Sequence, residues 1–263
     1  MKFLLSRALI KVTGSDSENF LQSQFSNNIA KVSPEAIQVN TYCQHQGKII
    51  SIIWVFKRKD NFYLSIPENL KEIVLSRLKM FKLMSKVEIV DLSSSEYQYG
   101  LIDEKNENEL VIRNNLSILI TNEFFANNED INLWEEACIN NTLPEIYIQT
   151  SEKFTPQLLN LDIDEFGVSF SKGCYPGQEV IARMHYLGKP KRKLFRFTSK
   201  FEVFVGDSLN VEKSESLKSS GQVIRVAKKG SEFHFLGVFD LRHIKDQIFL
   251  NNDKNKSVTI IHD

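Results

Sequence analysis

Lys172-Gly173-Cys174-Tyr175-Pro176-Gly177-Gln178-Glu179 places a thiol, an ammonium, a phenol, an amide and a carboxylate within eight residues. Gly173 and Gly177 give the backbone freedom on both sides of Cys174. Pro176 biases Tyr175 toward an extended conformation. Beyond Gly177, the run Gln178-Glu179-Val180-Ile181-Ala182-Arg183 has helix composition, so a loop presents Cys174 just before a helix N-terminus. Free N–H groups and the positive dipole end there can stabilise a thiolate. Lys172 would act in the same direction, and Glu179 would oppose it or accept hydrogen bonds from a ligand's ring nitrogens. The structural alternative is a buried cysteine in a glycine turn. The crowding of functional groups around Cys174 favours a site.

Working outward, the basic run Arg183, His185, Lys189, Lys191, Arg192, Lys193 and Arg196, with Tyr186 and Phe195 interleaved, could meet RNA phosphates or a polyanionic tail. Lysines also blunt strand edges, and that is the favoured reading over direct nucleic-acid binding. From Lys193 the pattern becomes short alternating stretches at 194–197, 202–205, 222–226 and 233–239. Gly206, Gly221, Gly230 and Gly237 mark turns or bends, which predicts a small β-barrel or sandwich.

Toward the N-terminus, Ala8 to Val12 reads as a strand ended by Thr13-Gly14. Ser15 and Glu18 then stand at capping-box spacing. Residues 49–56 and 61–66 read as buried strands joined by a charged hairpin loop. Leu70, Val74, Leu78 and Phe81 recur at helical spacing as a core face. Strands follow at 87–90, 109–113 and 116–121, with a turn at Asn114-Asn115. A helix is expected over 132–141, with Leu133, Trp134, Ala137 and Cys138 as its apolar stripe. Helices gathered on one face of an antiparallel sheet describe an α+β unit.

Composition bounds the function. The 263 residues carry 33 basic and 33 acidic side chains, so no global field recruits nucleic acid or acidic membranes, and any such contact must come from a local patch. Cys43, Cys138 and Cys174 are too scattered for a disulfide framework or a cluster within the chain. The five histidines show no metal-ligand spacing. The longest apolar run, 49–56, is too short for a bilayer. The expectation is a cytoplasmic protein without a membrane partner.

Residues 172–179 match the Lys-Gly-Cys-Tyr-x-Gly-Gln-Glu signature of YgfZ-like proteins. The likeness extends through 154–161 and 168–170 before it, through 180–183 and 188–192 after it, and to 12–17 and 20–24 near the N-terminus. The resemblance implies the fold of the glycine-cleavage T-protein, with three modules around a central hole. Residues 1–48 and 132–190 would form a discontinuous first module carrying the signature, 49–131 a ferredoxin-like module, and 191–263 a C-terminal β-barrel. It also implies binding of tetrahydrofolate or a derivative, and a role in making or maintaining iron–sulfur enzymes, including tRNA-modifying ones.

On this reading Cys174 is the reactive thiol, and the pterin lies between Trp134 and the signature loop. Lys172, Gly173, Tyr175, Gly177, Gln178, Glu179 and Arg183 complete the site. Arg7 falls where a second aromatic contact is expected, and Cys138-Ile139-Asn140-Asn141-Thr142-Leu143-Pro144 replaces an Arg-Ile-x-x-Gly-Ile-Pro run. Ser26-Asn27-Asn28 likewise replaces a Thr-Asn-Asp pattern. Ser51 and Ile52 stand where the T-protein carries carboxylates, so aminomethyl transfer lacks its base. A one-carbon transferase with another acceptor, or an interaction module that has lost the ligand, are the alternatives.

Overall fold

The computed structural model describes residues 1–104, 108–126, 129–188, 190–212 and 219–261. Lys189 of the basic run and His262 fall outside them. The first sheet is antiparallel. It is built from β2 (Arg7–Thr13), β3 (Gln38–Cys43), β4 (Ile49–Arg58), β5 (Asn61–Pro67) and β6 (Glu88–Asp91), in the order β3-β4-β5-β2-β6. Residues 49–56 are all buried, which explains their unbroken apolar run: both faces of β4 are covered. A tight turn at Gln44–Gly47, with Gly47 at φ 76°, folds β3 back on β4. The resulting hairpin pairs Cys43 with Ile49 and Val39 with Trp54. The sheet therefore crosses the boundary expected at residue 48, because strands joined by so short a turn pair with each other.

A second sheet, in the order β1-β7-β9-β8, joins β1 (Lys2–Leu4) to β7 (Tyr97–Ile102), β8 (Glu109–Arg113) and β9 (Leu116–Thr121). Helices α1 (Ser17–Gln24), α2 (Lys71–Phe81) and α3 (Ile131–Asn140) contribute buried residues to the main core. The capping box does not form. Asp16 is the N-cap of α1 and its carboxylate accepts from the Lys86 backbone N–H instead, while Ser15 Oγ donates to Asp16. Phe81 is also not a core residue: α2 buries Val74, Leu75 and Leu78, and Phe81 is 47% exposed.

Strands β10 (Arg192–Ser199), β11 (Ser208–Val211), β12 (Gly221–Lys229), β13 (Glu232–Asp240), β14 (Ile248–Leu250) and β15 (Ser257–Ile261) close a barrel. Alternation sends Phe197, Phe235 and Phe239 into its own core. Leu194, Ile224 and Leu236 join the main core instead. The stretch 202–205 is irregular chain, with only Val203 buried. Gly206 and Gly230, at φ 97° and 59°, are turn residues. Gly221 and Gly237 lie inside strands, where a Cβ would come within 2.3 Å of Val238 O and 3.0 Å of a Leu209 methyl. Among the described residues, no helix is long and apolar enough to cross a membrane.

Candidate functional site

The signature loop leads into α4 (Gln178–Leu187), whose N-cap is Gly177. Gly177 sits at φ 83°, and a Cβ there would lie 2.7 Å from both Gln44 O and Gly47 Cα. Only glycine allows this backbone shape and this approach to the β3–β4 turn. Gly173 differs: it has no positive φ, and a Cβ would meet nothing within 4 Å.

The Lys172 side chain turns into the protein. Its residue is 8% exposed, and its ammonium donates to the backbone carbonyls of Gln22, Phe25 and Asn27. These lie at and just beyond the end of α1, where helix geometry leaves acceptors unpaired and the dipole favours a cation. Burial pulls the Lys172 pKa down to about 8. Its charge thus meets three carbonyls at the end of α1, partners that the eight residues of the signature do not contain. Tyr175 is the second anchor. Its ring is buried, the Lys172 nitrogen stands 5.0 Å from its centroid, and burial next to Cys43 pushes its phenol pKa up. Between the anchors, Gly173 and Cys174 are exposed. Glu179 and Arg183 are exposed on α4, and Gln178 is half-buried. Cys43 and Cys138 are fully buried, and burial pushes both thiols up to about 12. Cys174 is thus the accessible thiol of the three.

Trp134 belongs to a different place. Its indole is 1% exposed and lies against Gly100, where any Cβ would come within 2.5 Å of the ring. It lines a cavity of about 180 Å³ where both sheets, α3 and the barrel meet, and none of residues 172–179 lines that cavity. Trp134 and residues 172–179 therefore do not share this cavity. The loop docks at the β3–β4 turn, whereas Trp54 of the cavity is five residues along β4 from Ile49, roughly 17 Å in an extended strand.

The cavity walls carry charges that sequence reading missed. The Arg7 guanidinium stacks 3.7 Å above the Trp54 ring. It pairs with Glu145 and donates to Ser65 Oγ at 2.7 Å and Ser65 O at 2.9 Å. Arg225 donates through Nε to Glu135 at 2.7 Å and through Nη1 to Leu143 O at 3.0 Å. A bulge in β12 between Val223 and Arg225 shifts the register beside this side chain. Arg225 also sits near Cys138, the position where the resemblance expects an arginine. Tyr147 completes the polar wall, its phenol pKa raised by burial. Leu4, Ser6 and Ile131 are the exposed residues of its lining and mark its mouth. Both tryptophans of the chain line this one cavity.

A broader groove of about 980 Å³ is lined by Lys2, Glu35, Arg58, Glu96, Glu109 and Phe125 among others. It contains no signature residue and no tryptophan, and Arg58 within it is paired with Glu96.

A scan against models of known protein families finds no match. An uncharacterised protein of Haemophilus influenzae is 32% identical over 255 residues, covering 93% of this chain and 86% of its own length. The tRNA-modifying protein YgfZ of Buchnera aphidicola (subsp. Schizaphis graminum) is 29% identical over 256 residues, covering 83% and 80%. The crystal structure of glycine cleavage system aminomethyltransferase T from Bartonella henselae superposes with a TM-score of 0.66, covering 100% of this chain and 84% of that one at 11% identity. At that identity the superposition speaks for fold, and the sequence relatives speak for lineage. Read with the intact 172–179 signature, they lead to one conclusion: the chain belongs to the YgfZ-like family and has the α+β fold of the glycine-cleavage T-protein, with a closed C-terminal barrel.

Proposed function

We propose that this chain binds tetrahydrofolate or a derivative, with the pterin end in the Trp134 cavity, and acts in the cytoplasm as an accessory protein for iron–sulfur enzymes, including tRNA-modifying ones. The observation that carries the reading is the cavity lining: two indoles, two carboxylates and two guanidiniums around about 180 Å³. This donor set suits a pterin. Glu135 and Glu145 can accept from its amino and ring N–H groups, Arg7 and Arg225 can donate to its carbonyl, and the two indoles give the walls an aromatic edge. The volume suits a ring system rather than a whole folate, so the tail would leave through the mouth at Leu4 and Ile131.

Cys174, exposed on the loop, is available to a client protein rather than to the pterin. Lys172, Tyr175 and Gly177 hold the loop, while Gly173, Gln178, Glu179 and Arg183 surround the thiol in sequence. The transferase alternative is less well supported. The cavity carboxylates are each engaged by a guanidinium. Ser51 and Ile52 are fully buried and offer no carboxylate. A polar cavity with an exposed mouth also weighs against a module that has lost its ligand.

Calorimetric titration with tetrahydrofolate tests the ligand, and Cys174→Ala tests the client role. The expected result is saturable binding by both wild type and Cys174→Ala, with only wild type restoring iron–sulfur enzyme activity in cells lacking the native protein. Absence of saturable binding by wild type removes the folate reading. Full rescue by Cys174→Ala removes the thiol from the client role.

A further inference from the structure

Lys79-Met80-Phe81-Lys82-Leu83-Met84-Ser85-Lys86 carries the chain from the end of α2 toward β6, the edge strand of the five-stranded sheet. Four large apolar side chains in this run face outward: Met80 is 55% exposed, Phe81 47%, Leu83 84% and Met84 96%. The chain returns to the core only at Val87. Lysines interleave with them, Lys79 and Lys86 exposed and Lys82 half-buried. None of these three ammoniums has an ion-pair partner among the described residues, whereas Lys71 on the same helix takes Glu68 and Asp91. The carboxylate of Asp16 is turned to the backbone N–H of Lys86.

We infer that this tip is a reversible anchor for an anionic lipid bilayer surface. Phe81, Leu83 and Met84 would enter the boundary between headgroups and acyl chains, with the ammoniums at the level of the lipid phosphates. The combination separates the occupants. Protein interfaces are enriched in Met and aromatics but depleted in Lys. Nucleic-acid phosphates would use the lysines but leave Leu83 and Met84 in water. A bilayer uses both. Net charge is zero overall, so the attraction is local to this patch. The inference is independent of the folate reading, since no residue of this run lines the Trp134 cavity.

The test is co-sedimentation of the full chain with vesicles of phosphatidylcholine and phosphatidylglycerol in equal parts, against phosphatidylcholine alone. Wild type is expected to sediment with the anionic vesicles at low salt and to be released by high salt. Lys79→Gln and Lys82→Gln should each weaken partition about fivefold. Leu83→Asp/Met84→Asp should weaken it by about tenfold or more while keeping the wild-type melting temperature, because neither side chain is buried. No binding of wild type to anionic vesicles, or binding that the double variant leaves unchanged, overturns the inference. Retention of wild type on immobilised polyglutamate without vesicle binding would assign the tip to an acidic protein and overturn it equally.

Discussion

The loop at 172–179 and the cavity around Trp134 are built on opposite plans. The loop is one short stretch of chain, fixed by Lys172, Tyr175 and Gly177, with its thiol in solvent. The cavity draws its lining from residues 4 to 225, and its two ion pairs join partners 138 and 90 residues apart. A loop of this kind can change at its exposed residues without disturbing the body of the protein. The cavity cannot, because Arg7, Glu145 and Arg225 are buried and its ion pairs tie distant segments of the chain together. Under the proposed function, this contrast would put ligand recognition where the two sheets meet the barrel and partner chemistry at the exposed loop.

The largest expected effect is at the cavity. Arg7→Met leaves the Glu145 carboxylate buried without its partner and should cost about 3–5 kcal/mol in urea denaturation. Arg7→Met/Glu145→Gln should recover much of that. A single-variant loss below about 1 kcal/mol would mean that the pair is hydrated, and the contrast with the loop would fail.

Within the loop, the two glycines should separate. Gly177→Ala forces a side chain into φ 83° and against Gln44 O, at a cost of about 1–3 kcal/mol. Lys172→Met removes the donor from three buried carbonyls and should cost about 1–3 kcal/mol. It also carries a pH signature. Burial holds the folded-state pKa near 8, below the unfolded value near 10.5. Between those values the unfolded chain binds more protons, so wild-type stability should rise with pH across that window, with no slope from this group below it. Lys172→Met should lose the rise, and an unchanged pH profile would refute the assignment. Smallest of all, Gly173→Ala should change stability by no more than about 0.5 kcal/mol, since the Cβ points into open space. Mass spectrometry of the folded chain after brief iodoacetamide treatment should find Cys174 alkylated and Cys43 and Cys138 untouched. Equal labelling of all three would contradict the burial pattern.

The loop was legible in the sequence because its chemistry is contiguous and its anchors lie within it. What the eight residues did not reveal was the direction of Lys172, which depends on carbonyls some 150 residues earlier. The barrel was legible from alternation, but Gly221 and Gly237 read as bends because close strand approach is invisible in one strand alone. Phe81 continued a helical stripe that the core stops using after Leu78. The cavity stayed hidden for the same reason at longer range. Its signals were present as charges in apolar surroundings: Arg7 immediately before a buried strand, and Arg225 between Ile224 and Val226. A lone buried arginine announces that a carboxylate must exist, but not which one.

Because Trp54 and Trp134 are the chain's two tryptophans and both line the cavity, intrinsic fluorescence reports on it directly. Titration with tetrahydrofolate should produce a saturable change in the wild-type signal. Cys174→Ser should titrate identically, and Glu135→Gln should titrate with clearly weakened affinity. A flat wild-type titration, or a change abolished by Cys174→Ser and untouched by Glu135→Gln, would place the ligand elsewhere and contradict the account.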